Sequence, residues 1–279
     1  MLRDKPYVSL TLVLALALAA CAPAATQTTA PTTVAVSTVP VAPTQPPAPT
    51  PEPTQPPERK VATFIWTQEF DTLNHHYSNK WFSQITDQIW NAWAWEFDDN
   101  NEPFPVLVTD IPSVENGGIS ADGTVITMHL RDDITWSDGE PITANDFIFT
   151  YEMITNPKNT VSSTYPYDQI KSVEAPDPQT VVVTFNEPFA PWLATLWKGI
   201  LPKHVLQPAF DTDGTIDNAE WNRKPTVGAG PFVFAEWESG SFARFVARED
   251  YWGGRPKIDE IFIKFVPDDA SQTAAMKSG

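Results

Sequence analysis

The residue types that carry chemistry are few in this chain and poorly spaced for it. His75 and His76 form an adjacent imidazole pair, the first place to look for a metal site. Neighbouring side chains rarely converge on one ion, and neither a cysteine nor a spaced carboxylate completes a ligand set, so no metal is expected. Asp98-Asp99 and Asp132-Asp133 pair their carboxylates, but adjacent acids in polar stretches read as solvated turn charges rather than an acid–base couple. No Ser-His-Asp or Cys-His nucleophile pattern is visible. Gly228 and Gly230 bracket one residue, yet no Lys-Ser/Thr follows them as in a phosphate loop. No catalytic residue is therefore assigned and no cofactor is expected. What remains is a chemistry of contact. The chain carries 11 Trp, 16 Phe and 6 Tyr, flat apolar faces that can wall a cleft for peptides or stack on sugars. Most of the Trp are expected in the core or between packed elements.

Charge and composition exclude several classes. With 18 Lys+Arg against 35 Asp+Glu the net charge is −17, the wrong sign for a general nucleic-acid binder. The single cysteine, Cys21, cannot pair within the chain, which excludes a disulfide scaffold. Charged residues at 19% and apolar ones at 42% exclude disorder of the whole chain. These averages hide a division: residues 22–57 hold 11 prolines and nine threonines with Glu52 as their only charge, whereas every Trp lies after residue 60. Arg3 and Lys5 precede an apolar run from Tyr7 to Ala20, shorter than the ~20 residues that span a bilayer. A basic start, a short apolar stretch and small residues at its end read as a secretory signal over residues 1–20. Leu18-Ala19-Ala20-Cys21 resembles a bacterial lipobox, which implies that Cys21 is acylated and holds the protein to a membrane. An ordinary secretory signal with an incidental Cys is the alternative. Residues 21–58 then read as a Pro/Thr-rich tether, extended and partly polyproline II, with a reach on the order of 100 Å at ~3.1 Å per residue.

The elements follow from periodicity and punctuation over the remaining residues. Val61–Trp66 is β-branched and aromatic and reads as a buried strand. Residues 67–77 read as a loop, and Lys80–Trp95 shows helical spacing at Trp81, Ile85, Ile89, Trp90 and Trp93. Thr124–Leu130 alternates like a strand. Asp138-Gly139-Glu140-Pro141 is a turn, with Gly139 suited to a positive φ. Thr143 caps a helix with Asp146 as its capping-box partner, and that helix stops before Asn156-Pro157. Gln169–Ala175 and Thr180–Phe185 read as a strand pair, Phe189–Trp197 as a short helix, and Phe232–Trp237 with Phe242–Arg248 as a hairpin around Ser239-Gly240. Ile258–Val266 is a further strand, and Asp268 or Asp269 caps a last helix. Strands and helices mix without strict alternation, so the expected class is mixed α/β, or α+β.

Three segments, in order, carry a resemblance. They are Leu130-Arg131-Asp132-Asp133-Ile134-Thr135-Trp136-Ser137-Asp138-Gly139-Glu140-Pro141-Ile142-Thr143-Ala144-Asn145-Asp146-Phe147, then Val227-Gly228-Ala229-Gly230-Pro231-Phe232, then Arg248-Glu249-Asp250-Tyr251-Trp252-Gly253-Gly254-Arg255-Pro256-Lys257-Ile258-Asp259. Over residues 60–279 the chain resembles the family 5 extracellular solute-binding proteins of ABC importers. The segments themselves read as scaffold: a capped helix start, a bend into a strand and an aromatic turn.

The resemblance implies a periplasmic-binding-protein-like fold whose two lobes close on a ligand about a hinge. On that pattern residues 59–95 plus 199–279 form a first-lobe sheet domain, and residues 96–198 a domain inserted in it. On the same pattern the second lobe is expected to be missing, so the chain is expected to be an N-terminal fragment that binds peptides weakly and aggregates readily. The implied function is capture of a peptide outside the cytoplasmic membrane, without chemistry, for delivery to the permease and ATPase subunits of an ABC importer. A lipid-anchored, extracytoplasmic monomer is expected. An oligosaccharide cargo is the alternative within this class. A secreted glycoside hydrolase is the alternative outside it, and would need two carboxylates about 5–10 Å apart across one cleft. Open sheets bind ligands beyond strand carboxyl ends. That makes Trp66, Glu69 and Phe70 candidate ligand-lining residues, joined by Tyr165 and Tyr167 of the inserted domain. Ordinary core and edge packing is the alternative for Trp66, Glu69 and Phe70.

Overall fold

The computed structural model describes residues 58–278. The leader read over 1–20, Cys21 and the tether up to residue 57 lie outside the described residues. The chain opens with strand β1 (Val61–Trp66) and helix α1 (Trp81–Trp90), then the short strands β2 (Trp95–Phe97) and β3 (Pro103–Pro105). Strand β4 (Val125–His129), helix α2 (Ala144–Thr155), strands β5 (Ile170–Asp177) and β6 (Thr180–Phe185) and helix α3 (Trp192–Thr195) follow. Helix α4 (Lys203–Asp213), strands β7 (Phe232–Glu238), β8 (Phe242–Ala247) and β9 (Glu260–Phe265) and helix α5 (Asp269–Ser278) complete the order. The fold is mixed α/β, as expected.

Two sheets dominate. One has the order β1-β9-β8-β7, with β1 parallel to β9 and the other pairs antiparallel. The other is an antiparallel β4-β6-β5 sheet. Alternation decides which faces are buried. Ile126 lies opposite Val183 and Met128 opposite Val181, all four buried. In the first sheet Ala243 pairs with Ile263 and Phe245 with Ile261, again buried on both strands. Each fully buried aliphatic or Phe side chain of this kind contributes roughly 1.5–3 kcal/mol.

Helix α2 serves two cores. Its Phe147 and Ile154 join the β4–β6 residues and Trp136, whereas its Phe149 and Met153 join Trp66, Phe245, Ile263 and Phe265. Its start is the capping box read in the sequence: the Thr143 N–H donates to Asp146 Oδ2 at 2.9 Å. The other oxygen of Asp146 accepts from the Lys203 N–H at 3.1 Å, so one carboxylate serves the starts of both α2 and α4.

Four readings change. β1 has the expected bounds but is an edge strand of the described sheet, with Val61 51% and Phe64 45% exposed. Residue type reports strand propensity and not position in a sheet. α1 ends at Trp90 rather than Trp95, because the Gly230 N–H takes the Trp90 carbonyl at 2.9 Å and Asn91 turns extended. A Cβ on Gly230 would lie 2.6 Å from the Asn91 carbonyl oxygen, so this glycine is required by close approach. The helix expected over Phe189–Trp197 is only the four residues of α3. α4 has no counterpart in the sequence reading, since Pro208 in its interior argues against a helix. Among the described residues no helix is long and apolar enough to cross a membrane.

Candidate functional site

The three motif segments meet in space and act as scaffold. Arg248, 2% exposed, donates from Nη1 to the Thr135 carbonyl at 2.8 Å and from Nη2 to Thr135 Oγ1 and the Trp136 carbonyl, both at 2.7 Å. Its Nε donates to Asp250 Oδ1 at 3.0 Å. The Ser137 N–H donates to the Gly228 carbonyl at 2.9 Å, and the Gly228 N–H returns a bond to Ser137 Oγ at 3.1 Å. These bonds tie the turn before α2 to the loop before β7 and the segment after β8; the loop that follows β1, here termed the rim, takes no part in them.

At the near end of this rim, Trp66 packs against Phe82 at 4.9 Å, and Phe70, 1% exposed, packs edge-on against Trp237 at 4.6 Å and Phe265 at 5.3 Å. Phe70 is a core residue here. Both oxygens of Glu69 are occupied: Oε1 accepts from Trp237 Nε1 at 2.7 Å and Oε2 from the Gly240 N–H at 2.9 Å. Glu69 thereby fixes the β7–β8 hairpin to the rim.

At the far end lies a cavity of 210 Å³ lined by His75, His76, Asn79, Gln84, Ser162, Ser163, Tyr165, Pro166, Tyr167, Thr195 and Lys198. It gathers Tyr165 and Tyr167 with the histidine pair; Trp66, Glu69 and Phe70 do not line it. Tyr165 is 52% exposed, with its ring edge-on to Phe189 at 6.1 Å. Tyr167 is buried, and its hydroxyl accepts from the Trp197 N–H at 3.2 Å. Burial pushes the Tyr167 phenol well above its ordinary range.

Behind the cavity is a buried polar cluster. Asp87 of α1 meets His75 Nδ1 at 3.2 Å and accepts from Asn91 Nδ2 at 3.3 Å and Trp93 Nε1 at 3.0 Å. His76 Nε2 lies 3.2 Å from the Gly199 carbonyl. Burial, reinforced by the neighbouring His75, holds the His76 imidazole well below its usual value and therefore neutral. The two ring centroids lie 3.9 Å apart with the planes tilted by 43°, and their bonded nitrogens turn to different partners, Asp87 and Gly199. Among the described residues no group of three or more His, Cys, Asp or Glu is arranged to hold a metal. Asp98 accepts the Asn100 and Glu102 N–H groups of its own turn, and Asp133 takes both Nε and Nη2 of Arg131.

Lys198, Asp87, Ser162, Ser163 and Thr195 escaped the sequence reading. Each is an ordinary polar residue whose place depends on contacts far along the chain. Gly199, ending a Trp-Lys-Gly turn, is the one local signal that could have drawn attention to Lys198.

Residues 102–279 match the family described as bacterial extracellular solute-binding proteins, family 5 Middle. A Brucella ovis protein, provisionally named an ABC transporter peptide-binding protein, is 36% identical over 162 residues, covering 58% of this chain and 30% of that protein. Among solved structures, NikZ of Campylobacter jejuni in complex with Ni(L-His) matches with a TM-score of 0.70 at 29% identity, over 80% of this chain and 42% of NikZ. The oligopeptide-binding protein AppA of Bacillus subtilis, in complex with a nonapeptide, shares the fold with a TM-score of 0.67 at 24% identity, over 79% of this chain and 43% of AppA. The chain thus spans less than half the length of each. With residues 102–279 matched, more than half of its length, the chain belongs to the bacterial extracellular solute-binding proteins of family 5.

Proposed function

We propose that this protein is the substrate-binding component of an ABC importer, capturing peptides outside the cytoplasmic membrane and handing them to a permease driven by an ATPase. The observation that carries this reading is the 36% identity over 162 residues to a protein provisionally named for peptide binding in an ABC transporter. The rim cavity agrees in kind, since it offers hydroxyls, amides and an exposed tyrosine. In this reading the protein performs no chemistry on its cargo. Tyr165 and the edge of Tyr167 touch the ligand, and Trp66, Glu69 and Phe70 support the rim from behind. Residues 59–95 plus 199–279 make up the sheet domain and 96–198 the inserted one. The protein works as an extracytoplasmic monomer, tethered by residues 21–58 and anchored through lipid on Cys21.

Calorimetry against a tri- to nonapeptide library and an oligosaccharide panel tests the cargo. Peptide binding without sugar binding is expected, and the reverse selectivity would refute the reading. Cys21→Ser is expected to move the protein from the membrane to the soluble fraction. Unchanged membrane retention with processing intact would contradict the anchor.

A further inference from the structure

The rim cavity has one charged residue type in its wall. Of its lining residues Lys198 is the only Lys or Arg, and no Asp or Glu accompanies it. This is an unusual place for a cation to stand without an acid, in a chain with 35 acidic and 18 basic residues. Among the described residues Lys198 takes part in no ion pair; its ammonium lies over the Trp93 ring at 5.3 Å. Burial alone draws its pKa down, the mark of a cation that has given up water and gained no countercharge.

The backbone holds Lys198 there under strain. Trp197 has φ 55 and Gly199 φ 75, so left-handed residues flank the lysine on both sides. A Trp in that region is costly, and such strain persists only where its surroundings enforce it. The enforcement is visible: the Ala94 N–H donates to the Trp197 carbonyl at 3.1 Å, the Trp197 N–H to Tyr167 Oη at 3.2 Å, and His76 Nε2 meets the Gly199 carbonyl at 3.2 Å. Two hydroxyl donors share the wall. Ser163 Oγ accepts from the Tyr165 N–H at 3.1 Å, leaving its own proton available, and the Tyr165 side chain is exposed. At 210 Å³ the cavity is smaller than the ~300–1,000 Å³ of a whole ligand site. It suits one end group of a larger molecule.

We propose that this cavity is a carboxylate subsite, with Lys198 as its cationic anchor and Ser163 and Tyr165 as hydroxyl donors. It rests on the reading that the rim faces a peptide cargo, and specifies the group that the cargo must present there. A peptide can supply that group from its C-terminus or from an acidic side chain.

The test uses the full chain and three probes: acetyl-Ala-Tyr-Ala as the free acid, the same peptide as its C-terminal amide, and acetyl-Ala-Glu-Ala amide. A charge-assisted bond in a half-buried site corresponds to about tenfold or more in affinity. Calorimetry should show the free acid or the Glu peptide binding at least that much tighter than the neutral amide; which of the two identifies the source of the carboxylate. Lys198→Met should erase the preference and Lys198→Arg keep most of it, while Lys224→Met, outside the cavity, leaves it intact. Circular dichroism checks that each variant folds. Equal binding of charged and neutral probes to the unmodified chain overturns the subsite and leaves the peptide reading standing. A preference that survives in Lys198→Met overturns the role of Lys198. No binding of any probe overturns this inference, and the peptide library then decides the peptide reading by itself.

Discussion

Replacing Gly199 by Ala tests the buried wall behind the cavity most directly. At φ 75 the residue sits in the left-handed region, where an L side chain costs about 1–2 kcal/mol. The added Cβ would stand 2.6 Å from Asp87 Oδ2, 2.7 Å from His75 Cε1 and 3.0 Å from Asn91 Nδ2. None of these neighbours moves freely: Asp87 and His75 are buried and joined at 3.2 Å, and Asn91 is bound to the Ile200 carbonyl at 3.2 Å. Forcing such a group aside costs about 1–3 kcal/mol more, for a total of about 2–5 kcal/mol. Gly139 separates the two contributions, because it has φ 91 but nothing within 4 Å of its would-be Cβ. Gly139→Ala should therefore lose only the backbone part, about 1–2 kcal/mol. Urea unfolding at pH 7 reads both as shifts of the midpoint at constant slope. If Gly199→Ala costs no more than Gly139→Ala, then the Asp87–His75 wall yields without penalty and the packing argument is wrong.

Arg248→Met should destabilise by about 3–5 kcal/mol, since it strands the Thr135 and Trp136 carbonyls in the interior; a midpoint shift worth under 1 kcal/mol would show that water replaces the guanidinium. Stability should also fall as the pH drops below the unfolded-state value of about 6.5 for histidine. The unfolded chain then binds a proton that folded His76, with its depressed value, refuses, so the loss runs from about pH 6.5 down toward the folded value at up to about 1.4 kcal/mol per pH unit. His76→Gln should flatten that slope between pH 7.5 and 5.5, and an unchanged slope would assign the effect to other groups.

Legibility in the sequence tracked how local the physics is. The capping box at Thr143 and Asp146, the turn at Gly139, the β7–β8 hairpin and the stop before Asn156-Pro157 each depend on a few consecutive residues, and all are present. Readings failed where distant residues decide. α1 stops at Trp90 because a loop some 140 residues on takes its carbonyl, as the Gly230–Trp90 bond records. α4 survives Pro208 because Leu206 is buried and Val205 and Phe210 pack on the core beside it, while Gly214 closes the helix in the left-handed region. The rim is the extreme case. Its cavity draws on residues 75–84, 162–167 and 195–198, so the tyrosines were visible as aromatics but Lys198 was one lysine among many.

The parallel pairing of β1 with β9 governs the order in which the molecule can be assembled. The Lys60 N–H donates to Asp259 across a separation of 199 residues, and Val61 lies beside Glu260. The β7–β8–β9 meander and the β4-β6-β5 sheet close through far shorter loops and lose much less chain entropy in doing so. A ribosome or translocon that delivers the chain from its N-terminus presents β1 199 residues ahead of its partner. Throughout that interval β1 is a β-branched, aromatic strand with both backbone edges unsatisfied, the kind of segment that pairs with whatever strand it meets. β1, the first of the described strands to emerge, thus locks only after β9, the last of them, and the yield of native protein depends on keeping β1 solitary until β9 arrives.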